Sequence, residues 1–114
     1  MRLPKGELPL AMEEGTDFSR DVEWGDMNVA YESFGPGDWT ELFKGLPDNR
    51  CQCPHWGYLF KGRIRIKYPD HDEVIEAGDL YYLAPGHLWI VEEAVELVEF
   101  SPKGEYQKTL EVVA

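Results

Sequence analysis

The chain has 114 residues, 22 of them acidic and 11 basic, for a formal net charge of −11. That length suits one domain able to bury roughly two-thirds of its unfolded surface in a single core, and 43% hydrophobic and 13% aromatic residues let it fold without staples. So acidic a surface repels phosphate backbones and excludes nucleic acid as a partner, while no apolar stretch approaches the ~20 residues of a membrane-spanning helix.

The opening "MRLPKGELPLAMEEGTDF" lacks the apolar run and small-residue cleavage site of a secretory signal. The expectation is a soluble cytoplasmic protein with no membrane partner. Residues 1–25 are rich in Pro, Gly and charge without a sustained period, and read as an N-terminal arm free to dock on the rest of the fold or on a partner subunit. Residues 26–114 read as one domain.

"DMNVAYESF" (26–34) alternates Met27, Val29 and Tyr31 with Asn28, Ala30 and Glu32, which predicts a half-buried strand. "GPGDW" predicts a turn, and "TELFKGLPDNR" a short strand running into a loop. From Cys51 onward strand signals recur at short intervals. "WGYLF" precedes a Lys61-Gly62 turn and "RIRIKY" alternates strictly, its cations on the solvent face. "PDHD" (69–72) joins that strand to "EVIEA" and makes His71 a solvated turn residue. "LYYLA" opens at Gly78-Asp79 and breaks at Pro85-Gly86; "HLWIV" and "AVELVEF" follow, separated by Glu92-Glu93. The tail "EYQKTLEVVA" fits a last strand or a short helix equally. Many short strands with Gly/Pro punctuation and no long helical period predict an antiparallel sandwich or barrel.

"CQCPH" (51–55) concentrates two thiols and an imidazole. Side chains two residues apart on an extended segment point the same way about 7 Å apart, too far for a disulfide. Cys51 and Cys53 are therefore thiols, open to two readings: metal ligands, or small buried hydrophobes.

Two stretches carry a family resemblance. "HWGYLFKGRIRIKY" is similar to the first motif of the cupin superfamily, in which a ligand cluster leads into a strand ending at a hairpin glycine, here Gly62. "EAGDLYYLAPGHLWIV" is similar to the second, a Gly-Asp opening, a strand, a Pro-Gly turn and a histidine. The resemblance spans about 27–98 and implies an all-β fold, the antiparallel double-stranded β-helix of the cupin jelly-roll barrel. The ligand spacing departs from the family pattern. His55 stands at the glutamate place, Asn49 and Cys51 at the two histidine places, and Trp89 where the second motif has its histidine, with His87 two residues earlier.

The candidate metal ligands are accordingly His55 and His87, with Cys51 and Cys53, brought to the barrel mouth by the strand entrance and the Pro85–His87 turn. Thiolate and imidazole suit a divalent transition metal, zinc or iron. Tyr58, Tyr82 and Trp89 are the candidate ligand-binding aromatics. No nucleophile elbow or phosphate loop is present, and carboxylates such as Glu96 and Glu99 are too abundant to single out. The expected function is binding of a metal and a small molecule in the barrel, with metal-dependent catalysis on a small polar substrate as one form of it; the alternative is a metal-free ligand-binding or sensor module. Because "WGYLF" and "LYYLA" are apolar on both faces, a second copy of the chain is the expected cover, giving a homodimer.

Overall fold

The computed structural model describes residues 1–113. Eight strands run β1 (Leu10–Glu14), β2 (Asp17–Trp24), β3 (Met27–Phe34), β4 (Gly37–Asp38), β5 (His55–Lys67), β6 (Asp72–Glu76), β7 (Leu80–Leu83) and β8 (Leu88–Pro102), and a helix, α1 (Lys103–Val113), follows. They are ordered β1-β2-β3-β8-β5-β6, with β4 beside β8 and β7 beside β5, and each pairing between them is antiparallel. The result is an antiparallel barrel, as the strand spacing implied, and a jelly roll, as the family resemblance implied.

Two strands are longer than the turn signals suggested. The Lys61-Gly62 dipeptide does not end a strand, because β5 runs through it for 13 residues; Glu92-Glu93 likewise lies inside the 15 residues of β8. Both positions fall where the β5–β8 register shifts, between Leu59 and Ile64. The bulge resets the side-chain phase of β5. His55 and Leu59 face inward at odd numbers, and Ile64 and Ile66 face inward at even ones. The two long strands bend there and wrap the barrel instead of flattening into a sheet.

The core is apolar and well filled at this bend. Leu59, Ile64, Ile66, Leu83, Val91, Val95 and Leu97 are each at most 2% exposed. Arg63, Arg65 and Lys67 point outward as their alternation predicts, Arg63 and Arg65 both holding Glu92.

Three local readings differ from expectation. Residues 10–24, read as part of an arm, form β1 and β2 and extend the sheet from β3 through the two-residue turns Gly15-Thr16 and Gly25-Asp26. Their period was hidden because β2 turns polar residues inward, Ser19 and Asp21, and its apolar residues outward. β3 does the same: Asn28, Ala30, Glu32 and Phe34 face in, while Met27, Val29 and Tyr31 face out. Thr40–Phe43 is a 3-10 turn rather than a strand, started by Asp38 Oδ1, which accepts from the Thr40 amide at 2.9 Å and hydroxyl at 2.6 Å. The tail is helical, beginning where Pro102 ends the ladder.

Gly62 sits at φ +90°, and a Cβ there would run into the Ala94 carbonyl across the bulge. Gly78 has a similar φ of +96° with open space around it. Gly78→Ala should thus cost the backbone strain alone, about 1–2 kcal/mol. Gly62→Ala should cost about 2–4 kcal/mol, since strain and overpacking add. Urea unfolding of the two variants checks the difference; equal losses would mean the β5–β8 bend does not depend on that close approach.

Candidate metal and ligand site

The segment before β5 is tied to the segment before β8 by backbone pairing. The Cys51 amide donates to the His87 carbonyl at 3.0 Å, and the Cys51 carbonyl accepts from the Gly86 amide at 2.9 Å. That bridge places the side chains of Cys51, His55 and His87 together although they span 36 positions of sequence. One ligand atom from each lies within 4.8 Å of the other two, and all three residues are buried. Cys51 Sγ is 3.7 Å from His55 Nε2. A tetrahedral ion with bonds of ~2.0–2.3 Å holds its N and S ligands roughly 3.4–3.6 Å apart, so this pair is close to coordination distance.

Hydrogen bonds orient both rings. His87 Nδ1 donates to the Ala84 carbonyl at 2.7 Å, which leaves Nε2 as the bare nitrogen, buried and without a partner among the described residues. His55 Nδ1 lies 2.6 Å from Ser101 Oγ and 3.4 Å from Glu99 Oε1; with the proton on Nδ1, Nε2 is free toward Cys51. Burial lowers the His55 pKa to about 3, helped by His87 beside it, and lowers that of His87 to about 4. Both imidazoles are therefore neutral and able to ligate at physiological pH. Burial also pushes the Cys51 thiol up to about 11, so it keeps its proton until a metal displaces it.

The other expected residues are placed differently. Cys53 is buried but outside the cluster, its thiol 3.5 Å from the Pro54 carbonyl. Pro54 breaks the alternation just before β5 begins, so Cys51 and Cys53 do not share a destination. Tyr58 and Tyr82 lie on the outer surface, Tyr82 49% exposed and its ring 5.2 Å from that of Trp56. Once His55 faces inward, period-two alternation sends Trp56, Tyr58 and Phe60 outward. Trp89 does line the interior, stacked on Trp39 with ring centroids 4.9 Å apart. His71 is a surface turn residue, 2.7 Å from Asp70 Oδ1.

Cys51 and His55 open onto a cavity of about 680 Å³ walled by strands β1–β3 and β8 and by α1. Its lining is partly aromatic, with Phe34, Trp39, Phe43 and Trp89, and partly polar, with Ser19, Asp21, Glu32 and Glu99. Burial raises the Glu99 carboxyl well above the usual range, and the neighbouring Glu32 adds to this. Glu99 and Ser101 are the residues sequence reasoning passed over. Their signal was phase: in "AVELVEFSP" they continue the every-second-residue series of the buried Val95 and Leu97.

No protein-family profile matches the chain, and no curated protein matches it. Solved structures do. An RmlC-like cupin from Shewanella frigidimarina aligns over 85% of this chain and 86% of its own, with 14% identity and a TM-score of 0.60. A cupin-2 domain protein from the same organism aligns over 74% and 78%, with 14% identity and a TM-score of 0.53. A tryptophan-to-tyrosine variant of Bacillus subtilis oxalate decarboxylase covers 97% of this chain, which spans 31% of that enzyme, at 15% identity and a TM-score of 0.61. At such identities the likeness is one of architecture, and it agrees with the two sequence motifs: the chain has the cupin fold.

Proposed function

We propose that the barrel binds a small molecule in its cavity, with a divalent transition metal, zinc or iron, held by Cys51, His55 and His87. The observation that carries this reading is the bare, buried Nε2 of His87, facing a thiol and a second neutral imidazole. A buried acceptor left unpaired costs roughly 1–3 kcal/mol, and a metal ion is the partner that all three donors share. Three protein ligands leave a coordination position for the small molecule. Bound there, the metal would supply Lewis acidity or, as iron, oxygen activation; the chain itself orients the rings through Ala84 and Ser101 and limits water with the aromatic wall.

Zinc should bind purified, metal-stripped protein at one ion per chain. His55→Ala, His87→Ala and Cys51→Ser should each weaken binding by about tenfold or more, whereas Cys53→Ser should lower stability and leave zinc content unchanged. A wild type that takes up no zinc or iron would instead favour the metal-free ligand-binding or sensor module.

The pH dependence follows from which group loses a proton. Well above about 4, where His87 is half protonated, and up to about 11, where the thiol ionises, each bound ion displaces one proton, from Cys51. Zinc affinity should accordingly rise about tenfold per pH unit across that window. Competition titrations at several pH values would read the slope; a slope near two at neutral pH would mean that a histidine is also losing its proton.

The dimer belongs to the same proposal. The outer face of β5, β7 and β8 exposes Trp56, Phe60, Leu80, Tyr82 and Phe100, each at least 40% accessible, and exposed large apolar side chains gathered on one face mark an interaction surface. A second copy seated on this face would bury it. Sedimentation equilibrium should give twice the chain mass at micromolar concentration, and Trp56→Glu with Phe100→Glu should give a folded monomer. A wild type that stays monomeric well above that concentration would contradict the assignment.

A further inference from the structure

Of the carboxyls lining the cavity, Glu99 stands beside the metal site, its Oε1 3.4 Å from His55 Nδ1, and the others serve no role there. Alternation and register seat these carboxyls around one small residue. Asp21 on β2 and Glu99 on β8 are the two cross-strand neighbours of Ala30, and Glu32 lies two residues further along β3. Two strand spacings put Asp21 and Glu99 roughly 9.5 Å apart at the backbone, with only the Ala30 methyl group between them. The Glu99 side chain is 5% exposed, and among the described residues its Oε1 has no hydrogen-bond partner, only His55 Nδ1 nearby at 3.4 Å; the buried Ser19 Oγ, on the residue opposite Glu32, likewise has none among them. Glu14 and Asp17 also line the cavity, and among the described residues no Lys or Arg does.

Carboxyl groups gathered out of water lose hydration and repel one another, so in an empty cavity they hold protons that a cation bound among them would displace. A hard divalent ion would want six or more oxygen ligands, whereas the same cavity is also lined by aromatic rings, the stacked Trp39 and Trp89 among them. We infer that the cavity selects a small organic amine, its ammonium group among Asp21, Glu32 and Glu99 and its apolar body against Trp39 and Trp89. This deepens the ligand-binding half of the function proposed above and rests on it, but does not depend on the metal.

The test compares three probes of one shape and three charges: 2-phenylethylamine, 2-phenylethanol and phenylacetate. Each is titrated calorimetrically into metal-stripped and zinc-loaded protein. In the metal-stripped protein, where an amine nitrogen has no zinc to ligate, the amine should bind about tenfold or more tighter than the alcohol, with phenylacetate weakest. Glu32→Gln and Glu99→Gln should each remove most of that preference and leave the alcohol unchanged; Glu32→Gln, away from the imidazoles, suffices should the other variant not fold. Equal binding of the alcohol, no binding of the amine, an amine affinity unmoved by the substitutions, or stoichiometric Ca²⁺ binding that competes with the amine would overturn the inference. Zinc loading without amine preference overturns the amine site and leaves the metal centre standing. Amine preference without zinc loading supports the amine site and removes the metal centre.

Discussion

The antiparallel pairing of β5 with β8, from Trp56 opposite Phe100 to Lys67 opposite Leu88, holds together everything the candidate site needs. At one end it sets His55 of β5 beside Ser101 and Glu99 of β8. At the other it brings the Gly86–His87 turn back over Cys51, where two backbone bonds lock the segments in place. Between the ends, the bulge at Gly62 bends both strands and lets the apolar residues on either side of it share one core. Local contacts alone could not assemble this cluster, because its members come from separate segments.

The barrel has an uneven interior. Around the bend it is a packed apolar core that supplies the stability. Toward β2, β3 and α1 it is polar and open, with buried or partly buried carboxyls and a Ser19 hydroxyl that has no partner among the described residues. Each such group costs free energy in a protein that has little to spare. Groups of that kind collected in one cavity, while the apolar residues of the same strands face outward, fit a wall shaped for occupants. The outward displacement of Val29, Tyr31, Trp56 and Tyr82 has the same origin, and it leaves the apolar face proposed to meet a second copy.

How much of this was legible follows from where period-two alternation holds. The fold was readable because Gly-Asp, Pro-Gly and Pro-Asp pairs punctuate strongly alternating segments from Cys51 onward. Cys51, His55 and His87 were readable as candidates from residue type and motif position, while their separation from Cys53 depends on the break at Pro54. Tyr58 and Tyr82 were assigned by residue type, although the inward phase of His55 already directs Tyr58 away from the cavity. β1 and β2 escaped notice because a polar inward face inverts the usual pattern, so their alternation resembles noise in a charged segment. For the same reason Glu99 looked like one carboxylate among many. Its phase with Val95 and Leu97 was in the sequence, but its meaning appears only once β3 and β2 close the cavity beside it.

The central claim is that one thiolate and two imidazoles, drawn together by the Cys51–His87 bridge, form a metal centre. Cobalt(II) spectroscopy tests it most directly, because cobalt reports both thiolate ligation and coordination number. The account predicts a thiolate-to-cobalt charge-transfer band with intense visible bands of a four-coordinate ion, the charge-transfer band lost in Cys51→Ser and retained in Cys53→Ser. Weak six-coordinate bands without charge transfer, or a charge-transfer band that survives Cys51→Ser, would contradict it.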